Sequence, residues 1–222
     1  MNFTPIDLQS WPRGQMFYYF SKMQPTGYSM TVRVDVTKLR KKVQDAGLKF
    51  FPVYLWLVTR NLNRQTEFKV AEKDGVLGYY DVLTPLYASF HEDDHTFSLM
   101  WTPYRENFSE FYEAYLKNQQ EFGDTHGVLC QPQTLPPANA YTVSCIPWVQ
   151  FEHFAIHSYE NHAYYFPSVE AGKFIEQDNR IYMPLSITCH HATTDGYHVN
   201  RFLEDLQEDM NHFESLYGPS AG

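Results

Sequence analysis

The sequence predicts a mixed fold of the α/β or α+β class, in which helices pack on one face of a mixed β-sheet. Apolar and polar residues alternate over residues 28–36, which is the period of a half-buried strand. Beyond Gly196 the apolar residues recur at helical spacing. Strand-like and helix-like segments follow one another in irregular order, and this order favours a two-layer sandwich of one sheet and its helices.

The first half of the chain predicts three helices and a strand. We predict a short helix over residues 14–22 and a strand over 28–36. A second helix is predicted over 38–47, and a buried third helix over 51–64. Thr37 is expected to cap the second helix, and Gly47 to end it, because glycine tolerates the left-handed conformation that often closes a helix. The third helix is apolar on nearly every face and is expected to open at Pro52.

The second half of the chain predicts five strands and two helices. The strands are predicted over residues 76–82, 84–91, 96–103, 141–149 and 179–191, and the first helix over 107–122. A proline-rich connection, 130–140, precedes the fourth strand. The last helix is amphipathic, with apolar side chains at Val199, Phe202, Leu203, Leu206, Met210 and Phe213. The chain has no repeat or flexible linker, which predicts one domain over residues 1–222.

Charge and composition exclude several classes of function. The 222 residues include 17 basic and 26 acidic residues, a formal net charge of −9, and such a surface repels the phosphates of nucleic acids. The first residues lack the pattern of a signal peptide, and no apolar run approaches the roughly 20 residues that span a bilayer. The three cysteines show no paired spacing, which predicts neither disulfides nor a zinc site. We therefore expect a soluble cytoplasmic protein without nucleic-acid or membrane partners.

Two adjacent histidines, His190 and His191, end the last predicted strand. Neighbouring side chains on a strand point to opposite faces, so the two cannot bind one metal ion, and no metal is predicted. One interpretation is structural, with core packing and a hydrogen bond to a backbone carbonyl. The other is a general base, because an imidazole titrates near neutrality and can accept a hydroxyl proton. Asp195 is a candidate helix cap, and Gly196 a candidate turn residue.

Ser144 lies in a predicted strand with the sequence TVSCIPW. No G-x-S-x-G motif surrounds it, so a serine nucleophile is not predicted. Its hydroxyl could instead donate a hydrogen bond to an oxyanion, although the local sequence does not require that role. The residues alone predict a soluble enzyme of mixed fold in which a histidine base is one candidate chemistry.

The motif HHATTDG, residues 190–196, resembles the H-H-x-x-x-D-G signature of chloramphenicol acetyltransferases and related coenzyme-A-dependent acyltransferases. Four further segments are similar to that family: WPRGQMFYYF, KFFPV, FHEDDHTFS and VSCIPWVQFEHF. The resemblance extends from about Trp11 to Leu206. It implies a chloramphenicol-acetyltransferase-like fold, acetyl-CoA as co-substrate with no metal, and acetylation of a chloramphenicol hydroxyl, which inactivates the antibiotic.

The resemblance also implies a role for each motif residue. His191 is the general base, and the substrate hydroxyl attacks acetyl-CoA directly, without an acyl-enzyme. Ser144 donates a hydrogen bond to the tetrahedral oxyanion. Asp195 pairs with an arginine, here Arg13, and holds the catalytic loop, while His190 is structural. The implied assembly is a homotrimer with active sites between subunits.

Further positions concern the two substrates. The resemblance places Lys49 and Lys173 near the phosphates of the coenzyme, and Phe174 where a ring can stack on adenine. Two pocket residues depart from the family, because Glu170 replaces a threonine near the oxyanion and Phe20 replaces a tyrosine. A carboxylate at residue 170 would repel the oxyanion.

Several alternatives stay open from the sequence. The residues 126–138 do not align with the pocket-lining segment of the family, which leaves another hydroxylated small molecule as an alternative acceptor. A non-catalytic homologue that binds coenzyme A or another ligand is the second alternative. A dihydrolipoamide acyltransferase domain is disfavoured, because the opening W-x-R segment fits that class less well.

Overall fold

The computed structural model describes residues 1–132, 135–157 and 164–217. Its strands are β1 (Phe3–Pro5), β2 (Gly27–Asp35), β3 (Val70–Lys73), β4 (Val76–Tyr80), β5 (Thr84–Phe90), β6 (Phe97–Trp101), β7 (Ala140–Ile146), β8 (Ser168–Gly172), β9 (Ile175–Gln177) and β10 (Arg180–His190). Its α-helices are α1 (Gly14–Tyr18), α2 (Thr37–Asp45), α3 (Phe50–Asn63), α4 (Phe108–Phe122), α5 (Gly196–Asn211) and α6 (Phe213–Tyr217).

The main sheet is mixed, as the sequence predicts. Its strand order is β2-β10-β8-β7-β5-β6, and β9 pairs with the start of β10. Strand β7 runs parallel to both β5 and β8, whereas the other pairs are antiparallel. A second, three-stranded sheet has the order β1-β4-β3. The prediction of a mixed sheet packed against helices is confirmed.

The two faces of the main sheet have different chemistry. Along β10, every second side chain packs in the hydrophobic core with the helices, namely Met183, Leu185, Ile187 and Cys189. The helix α3 lies at the centre of this core, and residues 52–59 of it are all buried. The alternate side chains point to the opposite side, which we call the polar face of the sheet; its members include Ser144, Ser168, Glu170, Ser186, Thr188 and His190.

The capping of α2, the start of α3 and the end of the last helix differ from the predictions. Thr37 is the first residue of α2 and does not cap the helix. The Asp35 carboxylate stabilises this end instead, because its Oδ1 accepts hydrogen bonds from the Thr37 amide at 2.9 Å and from the Thr37 hydroxyl at 2.6 Å. Helix α3 begins at Phe50, two residues before Pro52. The last helix ends at Asn211, and Phe213 begins the separate helix α6.

Gly47 agrees with its predicted role, whereas a π-helical turn and four strands were absent from the predictions. Gly47 has φ 65°, the left-handed value expected where α2 ends. Helix α1 continues as a π-helical turn, Tyr19–Met23. Strands β1, β3, β8 and β9 were not predicted. The connection 130–140 and the loop 126–138 lie partly outside the described residues. None of the described helices is long and apolar enough to cross a membrane.

Candidate active site

The loop between β10 and α5 carries the two histidines and Asp195. The His191 amide donates to the carbonyl of Thr26, the residue before β2, at 2.8 Å, and so connects the loop to the start of that strand. The amides of Thr193 and Thr194 both donate to the His190 carbonyl, at 3.2 Å each. These backbone bonds hold the loop as a compact turn, so the orientation of its side chains is set by the fold.

Hydrogen bonds assign a different neutral tautomer to each histidine. The Nδ1 of His191 lies 3.1 Å from the Thr194 carbonyl oxygen, which can only accept, so Nδ1 carries the proton and Nε2 keeps its lone pair. The Nδ1 of His190 instead accepts from the Ala192 amide at 3.1 Å, so the proton of its neutral ring lies on Nε2. His191 is therefore the residue of the two whose Nε2 can act as a base.

Aromatic rings hold the His191 imidazole in place. The Phe20 ring stacks on it with the centroids 4.1 Å apart, and the Tyr28 ring meets it edge-on at 5.3 Å. The His190 ring lies elsewhere, edge-on to Tyr165 at 4.9 Å. Phe20, which the resemblance places in the acceptor pocket, thus contacts the candidate base directly.

Asp195 has two structural tasks. One carboxylate oxygen caps α5 by accepting from the Tyr197 amide at 3.0 Å, and the other receives Arg13 Nη1 at 2.7 Å. Burial alone raises the pKa of Asp195, but the hydrogen bond from Arg13, with the charges of His198 and Arg13, outweighs burial and lowers that pKa. Arg13 Nη2 also donates to the His191 carbonyl at 3.4 Å. Arg13 therefore joins the start of α1 to the candidate catalytic loop.

Ser144 and Glu170 are neighbours on the polar face. They are Cα partners across the parallel pair β7–β8, so their side chains lie side by side. Glu170 is fully buried, its Oε1 accepts from the Ser168 hydroxyl, and its Oε2 has no hydrogen-bond partner among the described residues. A cavity of about 790 Å³ opens on the same face, and its lining includes Thr142, Ser168 and His190.

The three residues predicted to bind the coenzyme lie close to one another. Phe174 meets Phe50 edge-on at 5.1 Å, and each is directly preceded in the chain by one of the predicted lysines, Lys173 and Lys49. Both lysines are exposed. The guanidinium of Arg40 lies 4.4 Å from the centroid of the Phe174 ring and so covers one of its faces. The sequence did not indicate Arg40, because it is one of several cations on a helix with no motif around it.

Comparison with known proteins identifies the family. The family model described as chloramphenicol acetyltransferase matches residues 1–207. The chain belongs to the chloramphenicol acetyltransferase family. It is 38% identical to a chloramphenicol acetyltransferase of Clostridium perfringens over 98% of this chain and 99% of that protein. It is 40% identical to one of Staphylococcus aureus over 94% of this chain and 95% of that protein.

The fold agrees with that membership. A solved chloramphenicol acetyltransferase superposes with a TM-score of 0.83 at 25% identity, covering 94% of this chain and all of the other. The predicted resemblance, the fold class and the prediction of an acyltransferase are thereby confirmed. The roles of the individual site residues stay predictions.

Ser144 and His191 are well separated within one chain of this chloramphenicol acetyltransferase homologue. Ser144 pairs with Glu170 on β8, and Glu170 pairs with Ser186 on β10, so Ser144 and Ser186 lie two strands apart. Ser186 precedes His191 by five residues. At about 4.8 Å between strands and about 3.3 Å per residue, the Cα atoms of Ser144 and His191 are about 19 Å apart. Reacting atoms approach one another to about 3–3.5 Å, so a single reaction centre is too small to contact both side chains of one chain.

The expected repulsion between Glu170 and an oxyanion depends on its protonation. Burial raises the pKa of Glu170 to about 7, and the hydrogen bond from Ser168 opposes only part of that rise. Below that pH the side chain is a neutral acid, which donates a hydrogen bond instead of repelling negative charge. The charge of Glu170 on the polar face therefore depends on pH in the range around 7.

We expect Glu170 to make the free energy of unfolding depend on pH. Its pKa is about 7 in the folded chain against 4.5 in a model peptide, so the folded state binds the proton more tightly. Its contribution to stability is complete below about pH 4.5 and is lost as the pH rises to about 7, a change of about 3 kcal/mol. Glu170→Gln should remove this loss and unfold at higher urea concentration than wild type at about pH 8. The exposed Glu176→Gln is the control, and equal pH profiles for all three proteins would contradict the burial argument.

The Arg13–Asp195 pair provides a second stability prediction. Asp195→Asn keeps an acceptor for the α5 amide but removes the charge facing Arg13, so it separates capping from pairing. Asp195 is 34% exposed, and we therefore expect a loss of roughly 1–3 kcal/mol rather than the larger cost of a fully buried pair. Denaturant unfolding of Asp195→Asn, Arg13→Val and the double variant measures it. Additive effects in the double variant would show that the two side chains do not act together.

Proposed function

We propose that this protein transfers an acetyl group from acetyl-CoA to a hydroxyl of chloramphenicol, with His191 as general base. The observation that carries this proposal is the 3.1 Å distance from His191 Nδ1 to the Thr194 carbonyl oxygen, because that oxygen only accepts and so leaves the lone pair of the neutral ring on Nε2. A base with this geometry can accept a hydroxyl proton without first losing one of its own. The relatives named for this reaction supply the identity of the acceptor.

The reaction balances with these residues alone. The Nε2 of His191 takes the hydroxyl proton as the substrate oxygen attacks the thioester carbon, and the carbonyl oxygen becomes an oxyanion. Ser144 donates a hydrogen bond to that oxyanion. The tetrahedral intermediate then expels the thiolate of coenzyme A, which receives the proton from His191. The products are the acetyl ester and free coenzyme A, and no acyl-enzyme forms.

The coenzyme would bind beside Phe174. Arg40 lies against Phe174, and Lys49 and Lys173 directly precede the two rings in the chain, on a protein whose formal net charge is −9. Cations in this position attract the phosphates of acetyl-CoA. Because Arg40 already covers one face of Phe174, an adenine ring has to use the other face or displace the guanidinium.

The separation of Ser144 from His191 supports a homotrimer with shared sites. In such a ring the His191 of one subunit meets the Ser144 of its neighbour, which reconciles the distance within one chain with a single reaction centre. An exposed aromatic cluster offers apolar surface for the contact between subunits. Phe90 is 38% exposed, Phe97 54% and Trp148 59%. The ring centroids of Phe90 and Trp148 lie 4.9 Å apart. Aromatic residues are enriched in interfaces of this kind.

A thiol-release assay tests the activity. Purified protein with acetyl-CoA should release free thiol when chloramphenicol is added, and no more than background without it. Thiol release with other hydroxylated molecules but not with chloramphenicol would favour the alternative acceptor. Phe20 and Glu170, which differ from the family pattern that the resemblance implies, are compatible with such an acceptor. Coenzyme A binding without turnover on any hydroxyl would favour a non-catalytic homologue. We place the activity in the cytoplasm, where the three free cysteines stay reduced.

A further inference from the structure

A cluster of histidine and aspartate side chains lies apart from the proposed active site, where the β5–β6 turn meets the segment after α4. His91 and Asp93 belong to the turn, and His126 to the later segment. One nitrogen or oxygen atom from each of the three lies within 4.8 Å of the other two. We propose that His91, Asp93 and His126 bind one divalent transition-metal ion of the Zn²⁺ class, which fastens the turn to the segment after α4.

The hydrogen bonds around His91 prepare one nitrogen for a metal. Ser98 Oγ gives its proton to the Thr125 carbonyl at 2.8 Å, so it can only accept from His91 Nε2, which lies 2.7 Å away. The proton of the neutral ring therefore sits on Nε2, and the lone pair sits on Nδ1. Metal-binding histidines usually have their second nitrogen held by a donor–acceptor bond of this kind. His91 is 5% exposed, which keeps its ring in this orientation.

His126 shows a matching arrangement with the two aspartates. Its Nδ1 lies 2.9 Å from Asp94 Oδ2, and its Nε2 lies 3.3 Å from Asp93 Oδ2. Ligand atoms about 2.0–2.2 Å from a tetrahedral Zn²⁺ lie roughly 3.3 Å from one another, which is the separation of Nε2 and Asp93 Oδ2. Asp94 would then hold the second nitrogen of His126, because its other oxygen is anchored by the amide and hydroxyl of Thr96, at 2.9 and 2.7 Å.

Binding requires one small movement. The His91 and His126 rings are stacked, with centroids 4.1 Å apart and planes at 17°, so their nitrogen lone pairs do not yet converge. The His126 side chain is 42% exposed and can tilt away from the buried His91 ring. Two imidazoles, one carboxylate and a water molecule then complete a tetrahedral set suited to Zn²⁺. The ion would be structural and would take no part in acetyl transfer.

The alternative is a plain ion pair in which protonated His126 bridges Asp93 and Asp94. The two accounts differ in what Asp93→Asn and His126→Gln do to metal affinity. Both residues are exposed, so the variants should fold like wild type. Matched controls lie in the same turn: Glu92→Gln removes one charge without removing a ligand, and His95→Gln removes an imidazole that belongs to no proposed ligand set.

Calorimetric titration of Zn²⁺ into chelator-treated, untagged protein decides between them. We expect one ion per chain with a dissociation constant of about 1 µM or tighter, unchanged in both controls. Asp93→Asn and His126→Gln should lose this binding, and Asp94→Asn should weaken it about 10- to 100-fold. Co²⁺ should give the visible absorption of a tetrahedral site in wild type and not in His126→Gln. No stoichiometric binding by wild type, or equal losses in the control variants, would overturn the proposal and leave the ion pair.

Discussion

His191→Ala is expected to lower kcat for acetyl transfer by about 10²- to 10⁴-fold, the usual contribution of a general base. Loss beyond that range is expected if the imidazole also orients the attacking hydroxyl. The acetyl-CoA dissociation constant should change little, because the cations proposed to bind the coenzyme lie around Phe174 and not on the catalytic loop. Steady-state kinetics with chloramphenicol, together with direct titration of acetyl-CoA, measure the two quantities separately.

His190→Ala is the matched control for that experiment. Its Nδ1 accepts from the Ala192 amide and its ring packs on Tyr165, so its removal should act mainly through stability. In folded protein, His190→Ala should keep most of its kcat. A folded His190→Ala protein that is less active than His191→Ala would show that the base has been assigned to the wrong histidine.

Two inactive variants are expected to restore each other's activity when they are refolded together. Ser144→Ala alone should lower kcat by roughly 10²-fold, the usual effect of removing one oxyanion donor. In a mixed ring, some interfaces place the intact His191 of a Ser144→Ala chain against the intact Ser144 of a His191→Ala chain. Random assembly from equal amounts makes about one site in four intact, so about a quarter of wild-type activity should return.

The measurement requires proof that the rings are mixed. One variant can carry an affinity tag, and mixed rings can then be isolated by that tag and weighed by native mass spectrometry before the assay. Chains refolded separately and mixed afterwards provide the control, which should show no recovery. Mixed trimers without recovered activity would rule out a site shared by His191 and Ser144 of neighbouring chains. A monomeric wild-type protein would contradict the trimer itself.

Much of the fold follows from patterns that are local in the sequence. The alternation in β2 and the helical spacing in α5 are periodic over many residues, and both elements form where that period indicates. Strand β8 has no such period, because all five of its residues, including Ser168 and Glu170, are buried. A buried strand that contains a glutamate and a glycine resembles a loop until its neighbours β7 and β10 are known.

Some residues of the candidate site could be proposed from the sequence, and others could not. The motif around His191 and Asp195 was enough to propose these two residues, and their roles stay predictions. The ion pair of Asp195 with Arg13 joins residues 182 positions apart, so resemblance could suggest it but local pattern could not. Arg40 beside Phe174 had no signal at all, because one cation on a helix resembles any solvated charge.

The sequence by itself determined the residue types, the family and the chemistry that a histidine, a serine and an acidic residue can perform. Only the tertiary structure decided which nitrogen of His191 is basic, whether Glu170 is neutral, and that Ser144 lies about 19 Å from His191 in one chain. The physical reason is that protonation and hydrogen bonding depend on burial and on partners such as the Thr194 carbonyl and Ser168. Periodic patterns record which side of an element is buried, but the tertiary fold decides what that side meets.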